Sequence, residues 1–320
     1  MGDDPFSAGP ARGSRFSKAA AALALIALCI AGSPTARSSE GGGATALPVP
    51  PPPCTTAASA ESAAVSSTSA LTVAWSLFRD GCFDRARERA VGLGEDTSRA
   101  ARERAEAFAL GARATLSAVM VDPLAPDAAS LIDQAEHLAA RAVRLDDTVV
   151  EGHLQRAIAL GLQARAAGAI EAASGGYAEE ARAHIDAAMA LAPEEPYALA
   201  VDGAWHFEVV TGAGSLAASM IYGAAADEGE SRFEAARTRP GASLMIDVQY
   251  AVAALVLDHK RHRERARTAL EAARTKTPET AVEQFHFDLA GVLLERLASP
   301  EGSRAGARLA AAVQGRQGDQ

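Results

Sequence analysis

The chain has 320 residues and a formal net charge of −9, with 48% hydrophobic but only 5% aromatic residues. The acidic balance argues against nucleic-acid binding, which needs a basic stripe, and the absence of long alternating β-branched runs argues against a wide sheet. Alanine supplies much of the apolar surface, so we expect a thin core that suits layered helices.

Residues 1–36 have the pattern of a cleaved export signal, which predicts a periplasmic or cell-envelope protein. Basic side chains, the last of them Lys18, precede an apolar run over residues 19–30. A run of 12 residues is shorter than the roughly 20 that span a bilayer core, so a retained anchor is less favoured. A lipid anchor at Cys29 is a further alternative that we do not favour, because Leu28 stands where a lipoprotein box has a small residue.

Residues 37–69 are predicted to form a disordered tether. Gly, Ser, Ala and Thr predominate there, and almost no large apolar side chain is present to offset the entropy of ordering. We interpret the proline cluster at 48–53 as a stiff spacer. Cys54 and Cys82 show no CxxC spacing, so the sequence supports neither a disulfide framework nor a metal site.

Residues 70–315 are predicted to fold as an all-α, right-handed stack of about five irregular tetratricopeptide-like hairpins. The evidence is a pattern that occurs twice: Ala, a large aliphatic residue four positions on, Ala three positions later, and Pro five positions beyond. The small residues allow two helices to approach closely, and the proline prevents continuation of the helix. The two copies consist of Ala181, Ile185, Ala188 and Pro193, and of Ala266, Leu270, Ala273 and Pro278.

Weaker copies of the pattern begin at Ala86 and Ala135. The intervals between successive copies are 49, 46 and 85 residues, whereas the regular tetratricopeptide repeat has a period of about 34. The regular form is therefore excluded, and the longest interval predicts a degenerate unit around Phe233 and Ala236. The alternative is an alanine-rich bundle in which the register arises by chance.

Residues 203–250 form the most distinctive segment. It contains a Gly-Ala-Trp-His-Phe-Glu-Val-Val sequence, a small-residue stretch that ends at Gly223, and a helix from Phe233 to Pro240. This order resembles the tetratricopeptide-like domain of the regulator of microtubule dynamics family, over about residues 130–290. The resemblance implies a bacterial, exported helical-repeat protein, to which the microtubule role in the family's name does not transfer.

Four residues of this segment are candidates for binding. Trp205, His206 and Tyr222 are placed to line a concave groove, where an aromatic anchor would hold a peptide or small ligand. Glu208 joins them if its carboxylate is buried or paired. The alternative for the aromatic residues is ordinary packing inside a hairpin.

The sequence predicts no enzyme, cofactor or metal site. It has no GxSxG, GxxxxGK or HExxH motif. His206 and Glu208 are two positions apart, so on a helix they point in different directions. The one dense basic cluster, residues 259–263, is interpreted as a solvated turn between helices.

We therefore predict a non-enzymatic exported scaffold that binds a protein or peptide partner in the cell envelope. The export signal, the tether and the cryptic repeats also resemble the helical T component of TRAP transporters, which serves a periplasmic solute-binding protein. This remains the alternative, because the Trp-Gly-rich central motif of that family is not found in the sequence. It predicts a ligand-sized cavity through the stack.

Overall fold

The structure, a computed structural model, describes residues 47–51, 54, 69–299 and 301–316. The predicted export signal, Cys29 and most of the predicted tether lie outside the described residues. Within the described ranges the fold is all-α with no strand. The predicted class, an all-α helical-repeat stack, is thereby confirmed.

The helices follow one another with short connections. They are α1 (Ser69–Arg79), α2 (Phe83–Glu95), α3 (Ala101–Val121), α4 (Ala128–Leu145), α5 (Val150–Ala167), α6 (Ala169–Gly175), α7 (Tyr177–Leu191), α8 (Pro196–Ala213), α9 (Ser215–Ala217), α10 (Ala226–Thr238), α11 (Leu244–Arg274), α12 (Ala281–Ala298) and α13 (Ser303–Val313). A π-helical turn, Ala218–Tyr222, continues α9.

The longest helix, α11, is a hairpin in itself. It breaks at Asp258, whose φ of −158° and ψ of 93° are not helical. Lys276, just beyond the end of the second half, donates to the carbonyl of Ala242 at 3.0 Å and to Asp247 Oδ2 at 2.8 Å, next to the start of the first half. The two halves therefore run antiparallel.

The described helices thus form six hairpins, one more than the sequence predicted. The first helices are α1, α3, α5, α8, the first half of α11, and α12. The second helices are α2, α4, α7, α10, the second half of α11, and α13. The additional hairpin is α12 with α13. Its second helix, α13, repeats the alanine pattern at Ala305, Leu309 and Ala312, but Gln317 stands where the closing proline would be.

The repeated alanine pattern lies on second helices. Ala86 (α2), Ala135 (α4), Ala181 (α7) and Ala266 (α11) are each at most 3% exposed. Ile185, Ala188, Leu270, Ala273, Phe233 and Ala236 are also buried. Pro193 and Pro278 lie in the loops after α7 and α11. The second helices therefore face their partners through small side chains.

Helices α8 and α10 meet backbone to backbone at two glycines. A Cβ on Gly203 would lie 3.0 Å from the carbonyl oxygen of Gly229, and a Cβ on Gly229 would lie 3.0 Å from that of Gly203. Backbone atoms cannot give way as a flexible side chain can, so both positions require glycine. Phe207 and Phe233 flank the crossing with ring centroids 5.6 Å apart.

The stack curls until its last hairpin meets its first. Gly81 in the α1–α2 turn has a φ of +82°, and a Cβ there would lie 2.8 Å from the Cβ of Ala281, the first residue of α12. Beyond α13, Gln314 accepts a hydrogen bond from Arg165 of α5 at 3.1 Å. These contacts bring the two ends of the stack together, so the inner face is more enclosed than an open groove.

The basic cluster at 259–263 directly follows the break at Asp258. A turn between two helical segments is found there, as predicted, but one of its side chains is not solvated. His262 is 1% exposed, with its ring 6.0 Å from that of Phe207 and its Nδ1 3.2 Å from Glu230 Oε2. The prediction of a wholly solvated turn is wrong at this residue.

A disulfide joins Cys54 to Cys82, contrary to the interpretation of the cysteine spacing. Leu47 packs against the core, and Pro51 lies beside Gly81, so the described part of the predicted tether rests on the α1–α2 turn. The path of this segment, rather than a local motif, brings the two thiols together. Spacing along the chain carries no sign of such a pairing.

Reducing this disulfide is expected to destabilise the domain. It links residues 28 positions apart, and a closed loop of that size contributes about 3 to 4 kcal/mol by restricting the unfolded chain. Urea unfolding with and without dithiothreitol measures the difference in the free energy of unfolding. The Cys54→Ser, Cys82→Ser double variant should have the same free energy of unfolding as the reduced wild type, and dithiothreitol should not change it. Equal stability of the oxidised and reduced wild type would contradict this prediction.

Candidate functional site

The inner face of the stack encloses a chamber of about 210 Å³. Its helical lining comes from the first helix of all six hairpins, together with the loops that lead into three of them. An apolar cavity of about 150 Å³ holds a benzene molecule, so this chamber has room for one long side chain or a small ligand. Its apolar wall is contributed by Phe78, Leu116, Met120, Met245 and Ile246, among others.

Arg113 of α3 is the central polar group of the chamber. Its guanidinium carbon lies 5.7, 5.6 and 5.3 Å from the ring centroids of Trp75, Phe78 and Tyr197, which permits cation–π attraction to three rings. Its Nη1 donates to Glu151 Oε1 at 2.9 Å. Burial lowers the pKa of Arg113, but Glu151 and Tyr197 raise it to a net value above the ordinary one. The side chain therefore stays charged and ties its own hairpin to three others.

Two carboxylates, Glu195 and Glu283, line the chamber; Glu151 does not. Glu195 caps α8 by accepting from the backbone N–H of Tyr197 at 3.3 Å. Glu283 accepts from Ser243 Oγ at 2.6 Å and from the backbone N–H of Glu279 at 2.7 Å. Among the described residues, no Lys or Arg forms an ion pair with either carboxylate.

Trp205 lies inside the packing of α7 against α8. It is 8% exposed, and its Nε1 donates to the carbonyl of Ala178 at 3.0 Å. The Arg182 guanidinium lies 5.0 Å from the ring centroid. Both the apolar body and the polar edge of the indole are thus used within the fold.

His206 lies next to a buried carboxylate, Asp202. Arg182 Nη1 and Arg232 Nε lie 2.5 and 3.1 Å from the oxygens of Asp202. The His206 Nδ1 accepts from the backbone N–H of Ala225 at 3.1 Å, and its Nε2 is 3.7 Å from Asp202 Oδ1. Burial lowers the pKa of His206, with an opposing contribution from Asp202, so the imidazole is neutral at pH 7. This cluster holds α7, α8 and α10 together.

Tyr222 ends the π-helical turn and is half-buried against the same apolar cluster as Trp205. Burial, with a smaller contribution from Glu179, raises the pKa of its hydroxyl. Beside it, Leu216 and Met220 are 76% and 77% exposed. Tyr222 does not line the chamber described above.

Glu208 points to a different set of partners. Arg165 Nη2 donates to its Oε1 at 2.8 Å, and Arg316 Nη2 donates to its Oε2. Burial raises the pKa of Glu208, but the two guanidinium groups lower it to a net value below the ordinary one. The carboxylate therefore fastens the C-terminal segment to α5 and α8.

A histidine pair joins α5 to α7. His153 Nε2 is 2.9 Å from the carbonyl of Asp147, which can only accept, so this nitrogen carries the proton. His153 Nδ1 then accepts from His184 Nδ1 at 2.9 Å. Burial, followed by Arg156 and His153, lowers the pKa of His184 to about 4. Neither ring lines the chamber.

The structure thus brings together only some of the predicted residues. Trp205, His206 and Tyr222 lie near one another at the α7–α8 packing, whereas Glu208 lies in a separate ion-pair cluster. The chamber residues were not singled out from the sequence. A signal for Arg113 does exist, since it is the one charged residue between Glu106 and Asp122.

Neither a metal cluster nor a membrane-spanning helix is found in the described ranges. No group of three or more His, Cys, Asp or Glu side chains there is arranged to hold a metal ion. None of the helices described above is both long and apolar enough to cross a bilayer.

The profile of the family described as regulator of microtubule dynamics protein 1-3 matches residues 74–296. The match begins within α1 and ends within α12, so it includes helices from all six hairpins. No curated protein matches the chain at a significant level.

Replacing Glu208 by Gln is expected to release the C-terminal segment. The substitution leaves Arg165 and Arg316 without their shared carboxylate, and the loss of a charge-assisted hydrogen bond costs about 1.5 to 3 kcal/mol. Hydrogen exchange should accelerate at the Arg316 amide, which donates to the carbonyl of Ala311. The exposed Glu295→Gln variant is the matched control; indistinguishable exchange in the two variants would contradict the clamp.

Proposed function

The chain belongs to the regulator of microtubule dynamics protein 1-3 family, and from that premise we propose that it is a non-enzymatic, exported helical-repeat scaffold that binds a protein or peptide partner in the cell envelope. The observation that carries the proposal is the inner chamber. Six hairpins contribute their first helices to one surface, which is how stacked helical repeats build a binding face.

The scaffold proposal is supported by how the polar groups are used. His206 and Glu208 have no partner in common, so they do not form an acid–base pair. The lining of the chamber, as described, includes no His or Cys. Arg113 is engaged by Glu151 and three aromatic rings. These arrangements suit recognition better than group transfer or hydrolysis.

Export is supported by two independent features. The apolar run at 19–30 follows basic side chains, as in a signal peptide. The Cys54–Cys82 disulfide suits an oxidising compartment such as the periplasm, because cytosolic reductants keep most thiols free. An anchor through Cys29 would leave the domain attached to the membrane surface.

A second candidate function is the accessory role of a TRAP-type T component. The chamber of about 210 Å³ favours it, since that role predicts a ligand-sized cavity within the stack. In this case the partner would be a periplasmic solute-binding protein.

Affinity capture from an envelope fraction tests the proposal. Ser117 lines the chamber and is 5% exposed, so Ser117→Phe should fill the space and remove the specific partner. Ser231→Phe, on the exposed surface of α10, is the matched control, and thermal melting checks that both variants fold. Identical partners for wild type and Ser117→Phe would contradict the chamber as the binding site.

The same preparation tests the location and the alternative. The mature protein is expected in the envelope fraction with an N-terminus near residue 37, measured by mass spectrometry. An intact N-terminus in a cytosolic fraction would contradict export. Recovery of a solute-binding protein as the partner that Ser117→Phe loses would favour the T-component role.

A further inference from the structure

The charges around the chamber do not balance. Arg113, Glu195 and Glu283 line the chamber, and Glu151, which does not, pairs with Arg113. The two lining carboxylates therefore outnumber the one lining cation. The positive charge is already used, because Arg113 is paired with Glu151 at 2.9 Å and stacked among three rings. An anionic ligand would therefore meet an excess of carboxylate.

Glu195 and Glu283 retain capacity to accept hydrogen bonds. A carboxylate offers about four lone-pair sites. Glu195 accepts one backbone N–H, and Glu283 accepts one hydroxyl and one backbone N–H. No Lys or Arg in the described chain forms an ion pair with either carboxylate, and Glu195, which is exposed, has only the more distant charge of Arg113 near it. A cationic ligand can therefore supply the closer counter-charge.

Ser117 supplies a second, independent indication of a ligand. Its side chain lines the chamber although the residue is 95% buried, being 5% exposed. Its hydroxyl makes no hydrogen bond to any described residue. The hydroxyl is therefore accessible within the chamber and free to pair with an incoming polar atom.

The remaining wall is suited to an aliphatic stem. Leu116, Met120, Met245 and Ile246 contribute apolar side chains, and the two methionines adapt readily to a bound chain. An ammonium group carries three donors, which matches an acceptor set of two carboxylates and one hydroxyl. The volume of about 210 Å³ accommodates one such side chain.

We propose that the chamber binds an alkylammonium group on an aliphatic stem, namely a lysine side chain of the partner, with Glu195, Glu283 and Ser117 as its acceptors. This inference deepens the scaffold function and rests on it. The net charge of −9 on the chain would also attract a basic partner segment at low ionic strength.

Isothermal titration calorimetry of the wild type at low salt tests the inference without relying on a variant. The probes are acetyl-Ala-Lys-Ala-amide, the isosteric norleucine peptide, the corresponding glutamate peptide, and n-butylamine. We expect the lysine peptide to bind, the norleucine and glutamate peptides to fail, and n-butylamine to bind more weakly than the lysine peptide. Equal binding of lysine and norleucine, preference for glutamate, tighter binding of n-butylamine, or no binding of the lysine peptide would each overturn the proposal.

Variants then assign the carboxylates. Glu195→Gln and Glu283→Gln should each weaken lysine-peptide binding by about tenfold or more, the size expected for a charge-assisted hydrogen bond. Glu194→Gln is the matched control, because Glu194 is adjacent in sequence, pairs with Arg239 and does not line the chamber. Affinities of folded Glu195→Gln and Glu283→Gln that both equal the wild type would overturn the assignment.

The two proposals fail separately. If Ser117→Phe loses its envelope partner but the lysine peptide does not bind the wild type, the scaffold function stands and the lysine site falls. If the lysine peptide binds but Ser117→Phe retains every envelope partner, the chamber is a binding pocket that the scaffold function does not use. The proposal that the lysine belongs to the envelope partner is then overturned.

Discussion

Close approach of helices through alanine and glycine is the constraint on which the rest of this structure depends. The alanines of the repeated pattern are buried on the second helices, where small side chains permit close approach, and Gly203 meets Gly229 through backbone atoms. Because the hairpins pack closely, the six of them curl far enough for Gly81 of the first hairpin to meet Ala281 of the last. That contact brings the first and last hairpins together beside the chamber, so the enclosure of the chamber depends on small residues elsewhere.

Much of this architecture can be predicted from local pattern. The alanine pattern locates second helices, the long interval locates the degenerate unit at Phe233, and the basic cluster marks the turn after Asp258. The disulfide cannot be predicted in this way, because the Cys54–Cys82 pairing depends on how the preceding segment lies over the α1–α2 turn. The last hairpin does carry the alanine pattern, at Ala305, Leu309 and Ala312, but it lacks the proline that follows α7 and α11, so the pattern there is incomplete.

The site residues are harder to predict because their partners are distant in sequence. Glu208 is held by side chains 43 and 108 positions away, and the rings around Arg113 come from the first and fourth hairpins. Periodicity identifies the buried stripe of a helix but not which hairpins its polar side chains will meet. A charged residue in the middle of an apolar helix, such as Arg113, is the kind of signal that sequence alone does offer.

Closure of the stack is the central claim, and one distance tests it directly. Nitroxide labels on cysteines placed at the exposed Asp80 and Glu279, in a Cys29→Ser background with the disulfide intact, flank the contact between the first and last hairpins. Pulsed electron paramagnetic resonance should give a single narrow distribution at the short end of the measurable range. A broad distribution, or one centred at the far end of that range, would mean that the stack is open and that the chamber does not exist in solution.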